Sequence, residues 1–236
     1  MKKLSFLLYF SPFEWGLAAF SYAVIITAYL LGGEGGLLSM LSSLLGVICL
    51  LFIAKGNPVG HALCILFGCL YAIVSYTYAY YGEMATYLGM TVPMSVASLV
   101  VWLRHPFGKG HSEVRVGRLT GWDAVLLPIL ALLVTAALYF PLYYLGTANI
   151  LISTLSVTTS FVAVYFTMRR SPLYALGYAV NDIVLIVLWV LASLEDPAYL
   201  SVVACFSTFL INDLYGFFNW MRMEKKQRDK EKSTVL

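Results

Sequence analysis

Two Asn-Asp pairs hold most of the chemistry this chain offers: Asn181-Asp182 and Asn212-Asp213, each near the middle of a long apolar run. An amide side chain both donates and accepts hydrogen bonds, and a carboxylate accepts them or opposes a positive charge. The pairs therefore suit a small polar ligand, and two carboxylates could balance a cationic ring. An ionisable group at bilayer depth is costly when it faces lipid, so such residues face the bundle interior and often a substrate path. Trp189, seven residues after Asp182, falls on nearly the same helical face, while Tyr215 and Asn219 fall near the face of Asn212. Tyr71 is the deepest of a tyrosine group that includes Tyr76, Tyr78, Tyr80 and Tyr81. The candidate substrate-binding set is Asn181, Asp182, Trp189, Asn212, Asp213, Tyr215 and Tyr71. Membrane Asn, Ser and Thr also glue helices together through hydrogen bonds. Two Asn-Asp pairs exceed what packing requires, so at least one substrate contact is expected among them.

The elements that position these residues follow from composition. Of 236 residues, 61% are apolar and 11% charged, a surface that only lipid can solvate in a chain of this size. Eight apolar stretches, at about 15–31, 37–54, 60–80, 84–103, 124–144, 149–168, 173–194 and 200–220, are each long enough to cross a hydrocarbon core of roughly 30 Å as a helix. Short breaks with turn residues or charges separate them, among them Lys55-Gly56-Asn57-Pro58 and Arg169-Arg170-Ser171-Pro172, and 104–123 is the longer connection. The first stretch lacks a small-residue cleavage site, so the N terminus is expected to be retained.

Eight crossings put both termini on one face, with every Lys and Arg, from Lys2, Lys3 and Lys55 through Arg104, Lys109 and Arg169 to Lys232. The other face receives Glu34, Glu83, Glu195 and Asp196. Basic residues are retained in the cytoplasm, so both termini are expected there, with the basic end after Trp220 as an anchor near anionic lipid. The tyrosines toward the outward ends, Tyr139, Tyr143 and Tyr144 among them, read as an interfacial belt. The Ser and Thr residues of 149–168 suit close packing more than a hydrophilic path. Cys49, Cys64, Cys69 and Cys205 all lie in apolar stretches and read as small buried hydrophobes.

The chain also resembles itself. Residues 37–104 and 149–222 share three segments, a basic break, an acidic break and an aromatic-basic end, Trp102-Leu103-Arg104 answering to Trp220-Met221-Arg222. One segment lies between them, so the repeats enter the membrane from the same side and their interface is the expected substrate path. The expected architecture is an all-α membrane protein: 1–36 as tail and peripheral helix, 37–104 as first repeat, 105–148 as connection and linker helix, 149–222 as second repeat, and 223–236 as a basic cytoplasmic tail. His61, His105 and His111 lack metal-ligand spacing and are expected in connections, and neither a Ser-His pair nor a phosphate-binding loop is present, so no enzyme, metal, cofactor or nucleic-acid role is expected.

At Gly82-Glu83-Met84-Ala85-Thr86-Tyr87-Leu88-Gly89-Met90-Thr91-Val92-Pro93-Met94, Asn181-Asp182 with Trp189, and Asn212-Asp213-Leu214-Tyr215-Gly216-Phe217-Phe218-Asn219-Trp220, the chain resembles the PnuC family of bacterial nicotinamide riboside transporters. The likeness covers about 37–222. It implies a three-plus-one-plus-three layout related to the SWEET fold, the bacterial inner membrane, and uptake of the riboside by facilitated diffusion and alternating access with trapping by a cytoplasmic kinase. It also implies pocket residues at Asn181-Asp182 and along Asn212 to Gly216. The chain has Leu176 and Tyr178 where many members have tryptophan, and Val164 near a common glutamine. Thiamine, riboflavin or a deoxynucleoside as cargo, a membrane subunit that binds without transporting, and a homo-oligomer all stay open.

Overall fold

The computed structural model describes residues 9–32, 37–77, 81–108, 112–147, 149–195 and 199–235. Lys2, Lys3, Glu34, Tyr78, Tyr80, Lys109, His111 and Asp196 lie outside the described residues, as do the side chains of Tyr81 and Glu83. Among the described residues the chain is helical: α1 (Pro12–Gly32), α2 (Leu37–Ala54), α3 (Val59–Thr77), α4 (Tyr81–Thr86), a π-helical turn (Tyr87–Thr91), α5 (Val92–Arg104), α6 (Gly121–Tyr144), α7 (Ile150–Met168), α8 (Leu173–Ser193) and α9 (Leu200–Val235). With α4, the π turn and α5 counted as one broken span, eight helical segments are long and apolar enough to cross a membrane. Large apolar side chains such as Leu132, Leu151 and Val180 point outward, as a lipid-facing surface requires.

Two turns at the basic end are built alike. Gly56 (φ 65°) and Arg170 (φ 57°) both take the left-handed conformation that closes a helix. The Gly56 and Arg170 N–H groups donate to Ile53 O and Thr167 O, and Asn57 and Ser171 N–H to Phe52 O and Phe166 O. Asn57 Oδ1 and Ser171 Oγ then accept from Val59 and Leu173 N–H, capping the next helix in each case. The indoles cross over: Trp102 Nε1, at the end of α5, donates to Thr167 O at the end of α7, and Trp220 Nε1 donates to Ile53 O at the end of α2, both at 2.9 Å. Their rings meet at 5.3 Å, wholly buried. His61 stands against Trp102 at 4.3 Å, inside the first turn of α3 and not in a connection as its polarity had suggested.

The starts of α1 and α6 are also built alike. Ser11 and Glu14 form a capping box at the start of α1, and Thr120 and Asp123 form one at the start of α6. Each carboxylate pairs with the basic residue that ends the following helix, Glu14 with Lys55 at 3.1 Å and Asp123 with Arg169 at 2.7 Å, and accepts a tyrosine hydroxyl, from Tyr215 and Tyr165. α1 packs on α2 and α9 as α6 packs on α7 and α4. α9 continues as helix through the basic stretch to Val235, and Gln227 is buried. Its amide accepts from Val116 N–H and donates to Val114 O and Glu113, clasping the 105–120 connection, whose Val114 and Gly117 N–H groups donate to Gly56 O and Arg170 O.

The π turn precedes Pro93, which has no N–H to give to the carbonyl one helical turn back. Val92 N–H donates instead to Tyr87 O, one residue further than in an α-helix. The turn widens the helix where it faces the bundle centre.

Candidate functional site

A cavity of about 150 Å³ lies at the centre of the bundle, between α2, α3, the π turn and α5 on one side and α7, α8 and α9 on the other. Leu142 and Thr147 line it toward the acidic end, and Ile53 and Tyr174 toward the basic end. Beyond Tyr174 the buried Trp102–Trp220 pair closes the way, with Tyr174 edge-on to Trp220 at 5.0 Å. Its polar lining comes from Ser153, Ser156 and Ser160 on α7, Tyr178, Asn181 and Asp182 on α8, and Asp213 on α9, with Thr86, Thr91 and Ser95 around the broken helix opposite.

Helix geometry explains this grouping. Ser153, Ser156 and Ser160 recur at helical spacing and make one polar stripe, as do Tyr174, Tyr178, Asn181 and Asp182. α7 and α8 approach closely because Gly177 has no side chain; a Cβ there would stand 2.8 Å from Ala163 Cα. The close approach brings Thr159 and Ser160 hydroxyls to Asn181 Oδ1 at 2.8 and 2.9 Å. Both oxygen acceptor sites of the amide are thus filled from one side, which orients its NH₂ group. Asp182 and Asp213, each 4% exposed, are in hydrogen-bonding contact across α8 and α9. No Lys, Arg or His lines the cavity among the described residues.

Of the seven residues singled out from sequence, the cavity brings together Asn181, Asp182 and Asp213. Asn212 is turned about 100° from Asp213 on the helix, and so faces α1, where its Nδ2 donates to Ser21 Oγ at 2.9 Å and to Thr208 O at 2.8 Å. Tyr215 also faces α1, donating to Glu14 Oε1 at 2.8 Å, and Asn219 donates to Ala54 O. Trp189 shares the face of Asp182 but sits two turns closer to the acidic end, roughly 10 Å along the axis, against Tyr199 and the Phe206 cluster. Tyr71 meets Tyr87 at a tilt, with ring centres 4.5 Å apart, and lines a smaller cavity of about 30 Å³ near Tyr29 and Ser43. The residues missed were Thr86, Tyr87 and Thr91 around the π turn and the serine stripe of α7. The stripe's spacing was visible in the sequence; the turn's geometry was signalled only by Pro93. Among the described residues no cluster of three or more His, Cys, Asp or Glu side chains is placed to hold a metal ion.

Residues 36–222, most of the chain and all of the cavity lining, match the profile of the family described as nicotinamide mononucleotide transporter. The chain belongs to this family. Its relatives include the nicotinamide riboside transporter PnuC of Neisseria mucosa, 30% identical over 198 residues that make up 80% of this chain and 73% of that protein. The PnuC protein of Haemophilus influenzae is 24% identical over 229 residues, 95% of this chain and 96% of that one. A solved structure titled as the crystal structure of the vitamin B3 transporter PnuC superposes with a TM-score of 0.78 at 24% identity, over 92% of this chain and 94% of that one, which shows a common fold. The chain is a multi-pass membrane transporter of the PnuC family and not an enzyme. Tyr178 and Val164 also line the cavity, whereas Leu176 is not among its lining residues.

Proposed function

We propose that this transporter carries nicotinamide riboside, with the ligand held in the central cavity against Asn181, Asp182 and Asp213. The observation that carries the reading is the charge of the lining: two buried carboxyl groups and no Lys, Arg or His among the described residues. The family description names the mononucleotide and the relatives' names the riboside, ligands that differ by one phosphate group. A phosphate needs cationic or N–H partners and is repelled by carboxylates, whereas ribose hydroxyls and a carboxamide are met by Asn181 and the α7 serines. Tyr178 and Tyr87 supply flat faces on which a cationic ring gains roughly 0.5–2 kcal/mol by stacking.

Movement is by facilitated diffusion and alternating access, with a cytoplasmic kinase trapping the product. The matched turns, crossed indoles and paired capping boxes support a pseudo-two-fold arrangement that sets the repeat 37–104, preceded by α1, against the repeat 149–222, preceded by α6. Two halves that meet around a central site can rock against one another. The Trp102–Trp220 seal closes the basic end in this conformation, and the one-sided basic residues support a cytoplasmic assignment of that end and of both termini in a bacterial inner membrane. The test is counterflow of labelled nicotinamide riboside into liposomes that have no gradient of protons or sodium. Exchange without a gradient or nucleotide is expected; a strict need for internal ATP or for an ion gradient contradicts the mechanism. The Tyr178 and Val164 departures favour one second reading, a related vitamin or nucleoside as cargo, and competition by thiamine, riboflavin and deoxynucleosides in the same vesicles separates the two.

A further inference from the structure

Asp182 carries a feature that helix packing does not account for. Apart from its contact with the Asp213 carboxyl, its Oδ2 is buried with no hydrogen-bond donor, in a residue 4% exposed that lines the cavity. A buried acceptor left unmade costs free energy that a native fold normally avoids. Asp213, equally buried, stands in contact with it from the neighbouring helix. The titratable groups that face this pair are Tyr174 and Tyr178 on α8, Cys64 on α3, Cys49 on α2 and Cys205 on α9, and none of them carries a positive charge. The acidic cavity wall therefore has no cationic partner among the described residues, while Lys55 and Arg169 at the basic end are engaged, with Glu14 and with Asp123.

We infer that Asp182 and Asp213 together determine specificity by charge: the cavity selects a flat ring bearing a delocalised positive charge and discriminates against the uncharged ring of the same shape. The inference rests on the substrate reading above and deepens it. A delocalised ring cation suits the position better than an ammonium, since the surrounding Tyr87, Tyr178, Phe67 and Phe209 offer aromatic faces and few hydrogen-bond acceptors. Discrimination arises because the charged ring places a positive charge beside the buried Asp182 and Asp213, where attraction is little screened by water, and the neutral ring offers none.

The test titrates purified full-length protein with two matched ligands, nicotinamide riboside, whose ring is cationic, and its 1,4-dihydro form, whose ring is neutral. The wild type is expected to prefer the cation by about tenfold or more, the gain of placing an opposite charge close to a carboxylate away from water. Asp182→Asn and Asp213→Asn are each expected to cut that preference to about threefold or less, through weaker binding of the cationic ligand, with a cooperative thermal unfolding transition in detergent as the check on folding. Asp182→Glu keeps the charge and is expected to keep the preference. Equal affinity of the wild type for the two ligands, or a full preference surviving in both Asn variants, overturns the charge selection and leaves the substrate reading standing. A wild type that binds neither ligand overturns the substrate reading, and the charge selection with it.

Discussion

The first half of the chain, α1 to α5, and the second, α6 to α9, are near copies at the basic end and unlike each other midway along the helices. At the basic end, turn answers turn, Trp102 answers Trp220, and the Glu14–Lys55 pair answers Asp123–Arg169. Around the cavity, the second half contributes Asn181, Asp182, Asp213 and the serine stripe, while the first contributes Gly46, Cys49, Leu50, Cys64 and Phe67 together with the π turn. Shared features hold a helix end in place whichever half it belongs to. The divergent ones sit where a ligand would be held: one wall supplies carboxyl groups, an amide and a serine stripe, the other an apolar surface with the hydroxyls of Thr86, Thr91 and Ser95 beside a broken helix.

The comparison is broken most severely by removing the shared parts. Trp102→Ala and Trp220→Ala each delete a fully buried indole and its bond to the opposite half, and each should cost about 3–5 kcal/mol of stability. Thermal unfolding in detergent should report similar losses for the two; a large loss in one and none in the other would show that the halves are not equivalent at this end. Next in size is the polar wall. Asn181→Leu removes an amide held by Thr159 and Ser160, and should weaken riboside binding by about ten- to a hundredfold, or about 1–3 kcal/mol, with folding retained.

Smaller effects sharpen the contrast. Ser160→Ala leaves Asn181 one of its two donors and should weaken binding by about 0.5–1.5 kcal/mol, measured by the same titration. Tyr215→Phe removes one bond to Glu14 at the α1 side, outside the cavity. It should lower the unfolding temperature slightly and leave affinity within about twofold, since a single hydrogen bond contributes about 1 kcal/mol. A marked loss of affinity in Tyr215→Phe would mean that the α1 side of α9 belongs to the substrate path.

The spans were legible because a run of about twenty apolar residues permits little else, and the turns because Gly56-Asn57-Pro58 and Arg170-Ser171-Pro172 announce helix ends. The helical course of α9 to Val235 was not, since a charged stretch reads as a solvated tail until Gln227 is seen gripping the connection. The kinship of α1 with α6 was hidden because Glu14 and Asp123 differ in type and in distance from their partners along the chain. The site was half legible. Asn181 and Asp182 sit near the shared edge of one helical face, so both reach the cavity, whereas Asn212 and Asp213 straddle the boundary between two faces of α9, and sequence alone does not say which way that helix is rotated. Trp189 had the right face and the wrong depth.

The account turns on which face of α9 and α8 the ligand meets, and one calorimetric experiment decides it: titration of nicotinamide riboside into Asn181→Leu and Asn212→Leu side by side. Asn181→Leu should lose at least about tenfold in affinity, while Asn212→Leu, whose amide bonds Ser21 and Thr208 at the α1 interface, should bind like the wild type and melt earlier. Unaltered binding in Asn181→Leu, with the loss found in Asn212→Leu instead, would contradict the central cavity as the substrate site.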